Sequence, residues 1–310
     1  MKVLFITSNR LGDAILSTGV LAHYLREYPG AEVTVVCGRI AAPIFRAVPG
    51  ILDVVTVDKK RFALHWLGPF FKFAFRRWDL MVDLRDVTIM KLVPARRRIF
   101  DAGSSGSRHR LEDFAALIES PNDVPTPQFW FDEAAIARAN QLIPADEFII
   151  GVAPVTGPKR KLWRPDRYAA VLQTLTAPGG VMAGARVAVF AAPNEAASAQ
   201  QLTDLLPPEQ VINLVGATDP LEAAAAIGEC GFFLGVDSGL MHAAAALDVP
   251  TVGLFGEHGV PMVYRPWGSR SAYVHRRNPD WNAKVKPSGM DGISVEDVVL
   301  ACETLIRRPA

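Results

Sequence analysis

Short apolar runs alternate with amphipathic stretches along the whole chain, and this alternation restricts it to one class of fold. KVLFITS (2–8), EVTVVCG (32–38), DVVTVD (53–58) and DLMVDLR (79–85) read as strands in the first half. FIIGVAP (148–154), RVAVFAA (186–192), VINLVG (211–216), FFLGVD (232–237) and PTVGLFG (250–256) read as strands in the second. Between them lie stretches with helical spacing. One carries Ile15, Leu16, Val20, Leu21 and Leu25; others are the alanine-rich PLEAAAAIGEC (220–230) and GLMHAAAALD (239–248), and SVEDVVLACETLIRR (294–308) closes the series. Nearly continuous apolar strands separated by helices predict parallel sheets covered on both faces.

At 310 residues the chain exceeds the usual size of a single core. A Pro- and acid-rich stretch, PNDVPTPQFWFDEAA, lies near the start of the region 120–148 and marks the boundary. The expected architecture is therefore α/β, with two Rossmann-like parallel-sheet domains, 1–145 and 146–310, facing across a cleft. The last helix is a candidate to pack back on the N-terminal domain. In open α/β sheets ligands bind beyond the carboxyl ends of the strands, so the chemistry is sought in the strand-to-helix turns.

Composition removes several alternatives. A net charge of +1 argues against a broad nucleic-acid-binding surface, and the cations are clustered, as in KKR at 59–61 and RRR at 96–98. Cys37, Cys230 and Cys302 are odd in number and lack CxxC spacing, which suits buried thiols in a reducing compartment rather than disulfides or a zinc site. No apolar run has the length of a secretory or membrane-spanning segment, so a cytoplasmic protein is expected. There is no Walker A loop, no GxSxG elbow and no Asp-x-Asp triplet. The first turn is not GxGxxG and no acid ends the second strand, which disfavours an NAD-dependent oxidoreductase.

Five stretches carry candidate chemistry. In Asp237-Ser238-Gly239-Leu240-Met241-His242 a strand ends where a helix begins, and free backbone N–H groups at a helix start attract phosphate. His242 follows Ser238 by four residues and shares its side of the first turn. The plainer reading is an N-cap with a packed histidine. Asn9-Arg10-Leu11-Gly12-Asp13 occupies the corresponding turn of the first half, with Gly12 suited to a tight turn. Asp13 is there either a helix cap or a general base for a sugar hydroxyl. In APVTGPKRKLWRPDRY (153–168), Lys159, Arg160 and Lys161 are either a solvated basic loop or a counter-charge for a leaving diphosphate. Glu195, just after a strand, either complements a helix dipole or meets a ribose. KKRFALHWLGPFFKFAFRRWDL (59–80) mixes aromatics with cations, as an ordinary packed helix or as a segment lying on an anionic membrane or a lipid-linked acceptor.

Strand–x-x-G-D–helix at the N-terminus, K-x-W-x-P at 161–165 and D-S-G-L-M-H-A-A-A-A-L-x-x-P-T-x-x-L-F-G at 237–256 occur in that order. Together they resemble the ADP-heptose:lipopolysaccharide heptosyltransferases, glycosyltransferase family 9, over nearly the whole chain. The resemblance implies the GT-B fold and an inverting, metal-independent transfer of heptose from ADP-heptose to an acidic lipopolysaccharide-core acceptor. It implies no cofactor, the ADP-sugar being a substrate. Asp13 matches the proposed base and Lys161 the lysine that contacts the donor phosphates. Asp237, Ser238, Gly239, Leu240 and His242 match the donor-binding motif, and Glu195 an acid near the ribose. The implied partners are the nucleotide-sugar donor and a lipid-linked or anionic glycan acceptor, with peripheral contact at the inner membrane and no nucleic acid. Here Arg164 intervenes before Pro165, and the turn after LFG reads Glu257-His258-Gly259-Val260-Pro261, both departures from the usual family pattern. A relative using another nucleotide sugar or acceptor, and a nucleotide-binding relative without catalysis, remain alternatives.

Overall fold

The computed structural model describes residues 1–58, 65–157, 161–257, 259–276 and 289–308. The chain divides into two compact units, Met1–Asp132 and Glu133–Ala310. Each carries its own parallel sheet.

In the first unit the elements run β1 (Lys2–Ile6), α1 (Leu11–Glu27), β2 (Glu32–Cys37), β3 (Ile51–Thr56), α2 (Leu67–Ala74), β4 (Trp78–Asp83), β5 (Ala95–Phe100) and α3 (Arg110–Leu117). The five described strands are ordered β3-β2-β1-β4-β5, all parallel. Ile6 pairs with both Val36 and Asp83, so the carboxyl ends of the central strands lie level. The inner strands are buried on both faces, as an apolar parallel strand must be. Helix α1 is buried along most of its length because a second segment crosses it. A Cβ on Gly19 would lie 2.0 Å from the Pro125 carbonyl oxygen, and the Gln128 N–H donates to Thr18 Oγ1 at 2.9 Å.

The second unit runs α4 (Glu133–Leu142), β6 (Ile149–Ala153), α5 (Pro165–Thr176), β7 (Arg186–Val189), α6 (Ala196–Thr203), β8 (Val211–Asn213), α7 (Pro220–Gly228), β9 (Phe232–Val236), α8 (Gly239–Ala246), β10 (Thr251–Phe255), α9 (Pro261–Tyr264), β11 (Ser271–His275) and α10 (Val295–Ile306). Its six described strands are ordered β11-β10-β9-β6-β7-β8, again all parallel. Counted from its own first strand, each sheet has the doubly wound order, reversing direction beside that strand. Helix α7 starts sharply because Asp219 accepts the Leu221 and Glu222 N–H groups at 2.8 and 2.9 Å while Glu222 accepts the Asp219 N–H. Fully buried side chains such as Phe232, Phe233 and Leu234 fill the interior, each contributing about 2 kcal/mol.

Three differences from the sequence reading have physical causes. The units divide at 132/133 rather than 145/146, because α4 packs on α7 of the second unit. Helix α10 lies on α5 and β11 of its own unit. Two edge strands, β5 and β11, were not read as strands. Gly12 sits inside the first turn of α1, so the chain reverses at Asn9 and Arg10 rather than at the glycine.

Candidate functional site

In the second unit the sheet reverses direction between β6 and β9, and the chain carries polar groups out of both strands there. Asp237 follows β9 directly. Ser238 is the N-cap of α8, and its hydroxyl oxygen accepts the Met241 N–H at 3.5 Å. The Gly239 and Leu240 N–H groups keep no hydrogen-bond partner among the described residues. They point out of a helix start with its partial positive charge. Helix α8 can lie close to the sheet because Gly253 of β10 leaves room for Met241, whose Sδ stands 2.6 Å from where a Cβ would be.

Lys161 leaves the loop after β6 and reaches this helix start. Its ammonium donates to Asp237 Oδ2 at 2.6 Å. The side chains are 26% and 16% exposed, so the pair is shielded yet open on one side. His242, buried, places Nε2 4.0 Å from Asp237 Oδ1. Lys161 and Asp237 also line a small concavity with Gly256, Gly259 and Met290. Gly256 ends the motif quoted from the sequence and Gly259 lies in the turn after it, whereas Met290 carried no signal there. Two residues on, the chain is anchored by Trp163, which is buried, donates from Nε1 to the Ile293 carbonyl at 3.1 Å and meets Tyr168 edge-on. Arg167 donates to the same carbonyl at 2.6 Å. The intervening Arg164 turns to solvent and pairs with Asp166 at 2.7 Å, so the extra residue before Pro165 leaves the anchor intact. Lys159, Arg160 and His258 lie outside the described residues.

Glu195 follows β7, and its Oε2 accepts the Ala192 N–H at 3.2 Å, closing the 3-10 turn Pro193–Glu195. It makes no hydrogen bond or ion pair with Lys161 or Asp237 among the described residues, so no bond joins it to the others.

In the first unit Asp13 lies in the opening turn of α1, half-buried, and Ser8 Oγ donates to its Oδ2 at 3.2 Å. The other carboxylate oxygen has no hydrogen-bond partner among the described residues. The end of β4, at the reversal point of this sheet, adds residues that the sequence reading missed. Asp83 is fully buried and accepts the Arg85 and Val87 N–H groups, both at 2.9 Å. Burial pushes its carboxyl above the ordinary range, against the pull of those two N–H groups. Arg85 donates to Asn9 Oδ1 at 2.6 Å and its guanidinium carbon lies 5.7 Å from the Trp66 ring centre. Burial lowers the Arg85 pKa, and the charges of Asp83 and Asp13 oppose that shift. An acid ending an apolar strand, as in WDLMVD, was the available signal.

The basic clusters lie elsewhere. Arg76 and Arg77 precede β4, and Arg96, Arg97 and Arg98 occupy the first part of β5, away from the carboxyl ends that carry Asp13. Arg97 is engaged locally by Glu27 at 3.4 Å and by Tyr28 at 3.3 Å. The cluster 59–61 lies outside the described residues. Among the described residues no group of three or more His, Cys, Asp or Glu is arranged to hold a metal ion.

A sequence model described as "Glycosyltransferase family 9 (heptosyltransferase)" matches residues 96–293. The lipooligosaccharide heptosyltransferase 2 of Haemophilus ducreyi is 25% identical, over 89% of this chain and 88% of its own. The crystal structure of a glycosyl transferase family 9 protein from Veillonella parvula superposes with a TM-score of 0.79 at 19% identity, covering 98% of this chain and 97% of that one. The E. coli ADP-heptose lps heptosyltransferase II superposes with a TM-score of 0.76 at 19% identity, covering 99% and 98%. These likenesses show a common fold of two parallel-sheet α/β domains, the composition of the GT-B fold.

Proposed function

The chain belongs to glycosyltransferase family 9 and is a glycosyltransferase, and on that premise we propose that it moves a heptose from ADP-heptose, with inversion, to an acidic lipopolysaccharide-core acceptor. The observation that carries this reading is the Lys161 ammonium held by Asp237, 2.6 Å away, at the start of α8. A diphosphate is met there by one fixed cation and by the Gly239 and Leu240 amides, which need no rearrangement as the leaving group gains charge. Asp237 sets where the ammonium stands. His242 closes the buried side of the same turn, and Glu195, at the neighbouring strand end, is the candidate partner of the ribose.

Asp13 takes the part of general base. Ser8 fixes one carboxylate oxygen, and the other is available to accept the proton of the attacking hydroxyl. As that oxygen bonds to the anomeric carbon from the face opposite the diphosphate, the C–O bond to ADP breaks and its electron pair leaves on the phosphate. The reaction needs no cofactor beyond the donor and no metal ion. The relatives' names support lipopolysaccharide as the acceptor class. The enzyme then works at the cytoplasmic face of the inner membrane, in peripheral contact with it and with a lipid-linked acceptor.

Calorimetric titration with ADP, UDP and GDP tests the donor site. Selective ADP binding is expected, weakened about tenfold in Lys161→Ala, or about 1.4 kcal/mol. Asp13→Asn is expected to lower heptose transfer by about 100-fold or more while leaving ADP binding unchanged. Preference for UDP or GDP removes ADP-heptose as donor. Loss of ADP binding in Asp13→Asn removes Asp13 from the role of base.

A further inference from the structure

Helix α2 is apolar on two faces, and among the described residues of its unit only one of them has a partner. On the inner face Pro69 and Phe73 are buried, and Phe73 meets Trp78 edge-on at 5.6 Å within the core cluster that includes Trp66 and Met90. On the outer face Leu67, Phe71 and Phe75 recur at every fourth residue, one above another. Phe71 is 61% exposed and Phe75 88%. The 3-10 turn Thr88–Leu92 packs beside α2 and adds Leu92, 72% exposed. Scattered exposed apolar residues need no explanation, but an aligned row beside a further exposed leucine does.

Along this stretch of sequence the charges have one sign, and the acids that meet it come from neighbouring elements. From Lys59 to Trp78 the sequence holds no acid. Lys72, Arg76 and Arg77 are exposed beside the phenylalanines, and Lys91 is exposed next to Leu92. Lys72 pairs with Asp53 at 2.6 Å and Lys91 with Asp86 at 2.7 Å, both at the surface. The Arg76 and Arg77 side chains make no ion pair among the described residues. Aromatic rings flanked by long cations suit a lipid interface, where rings enter the acyl boundary and cations remain with the phosphates. Among the described residues no helix is long and apolar enough to cross a membrane, so contact here is with the surface.

We propose that the outer face of α2, with the adjoining turn at Thr88–Leu92, is a docking surface for an anionic lipid bilayer. The proposal rests on the transferase reading only for its purpose, which is to hold the enzyme where a lipid-linked acceptor is. A second copy of this chain is a poorer occupant, because a two-fold contact across this face brings two sets of the unpaired Arg76 and Arg77 into one interface. The surface also leaves the substrate edge open. Phe75, Arg76 and Arg77 lead into the amino end of β4, whereas Asp13 follows the carboxyl end of β1 in the same parallel sheet.

The test is sedimentation of the full chain with vesicles of phosphatidylcholine alone and of phosphatidylcholine with phosphatidylglycerol. The chain is expected to pellet with the anionic vesicles and not with the neutral ones, and high salt should release it. Phe71→Ser with Phe75→Ser, and separately Arg76→Gln with Arg77→Gln, should each lower the bound fraction about fivefold or more. Circular dichroism and the denaturant midpoint of the same proteins serve as the check that they remain folded. The proposal is overturned by absence of vesicle binding in the parent chain, by binding indifferent to anionic lipid, or by variants that pellet as the parent does. It is also overturned if the parent ignores vesicles and forms a dimer that the Phe71 and Phe75 changes abolish. Vesicle binding without ADP binding would count against the transferase reading and leave the docking surface standing.

Discussion

At the start of α8 the Asp237 carboxylate faces Lys161 on one side and His242 on the other, at 2.6 and 4.0 Å. Removing it leaves a partly shielded ammonium without its partner. Asp237→Ala is expected to cost about 1 kcal/mol in denaturant unfolding, a modest figure because the pair is open to solvent on one side. Saturating ADP should narrow that gap, since its phosphates replace the missing charge. An equal loss with and without ADP would separate the lysine from the diphosphate. The three cysteines behave differently, because nothing polar activates them. Burial pushes the Cys37 and Cys230 thiols up to about 12 and Cys302 higher still. They stay protonated at pH 8, so a thiol reagent is expected to label the native chain negligibly and to modify all three after denaturation. Fast labelling of the native protein would contradict that burial. Buried thiols and an acid beside Ser238 were both legible, because cysteine spacing and a strand-to-helix turn are local features. The Lys161–Asp237 contact joins residues 76 apart in sequence. Arg85 and Asn9 are likewise 76 apart. Periodicity carries no record of such pairs.

Elements were legible where their own burial enforces a pattern. The inner strands β1, β4, β6, β9 and β10 are almost wholly buried and read as apolar runs. The two missed strands, β5 and β11, lie at sheet edges with most residues accessible. ARRRIF reads as a basic cluster because its middle arginines are solvated; pairing with β4 makes it a strand. Glycines show the same dependence on surroundings. In an exposed helix Ala is better than Gly by up to about 1 kcal/mol, and Gly68 of α2, with nothing within 4 Å of a Cβ, should follow that rule. Gly19 of α1 should reverse it. Its Cβ would meet backbone oxygens of Pro125 and Thr126 at 2.0 and 2.6 Å, so the crossing segment must move. Gly19→Ala is expected to cost about 2–4 kcal/mol, read as a lower denaturant midpoint. An unchanged midpoint would show that the segment 125–128 yields freely.

At the scale of the whole molecule, both units repeat one plan, a doubly wound parallel sheet with polar residues at the strand ends where it reverses. Alternation along the sequence was enough to expect two such sheets. It was not enough to place the boundary, because α4 is decided by its packing on α7 rather than by its composition. The plan also separates the proposed roles. Lys161, Asp237, Ser238, Gly239, Leu240, His242 and Glu195 all belong to Glu133–Ala310, and Asp13 to Met1–Asp132. A fragment spanning 133–310 has its own sheet and core, and every residue proposed to hold the nucleotide. It should bind ADP within about threefold of the full chain's affinity, a difference of about 0.7 kcal/mol, and should transfer no sugar. Circular dichroism would establish that the fragment folds, and calorimetry would give its affinity. A folded fragment that fails to bind ADP would mean that the first unit supplies nucleotide contacts, and the division of roles between Asp13 and the α8 turn would have to be redrawn.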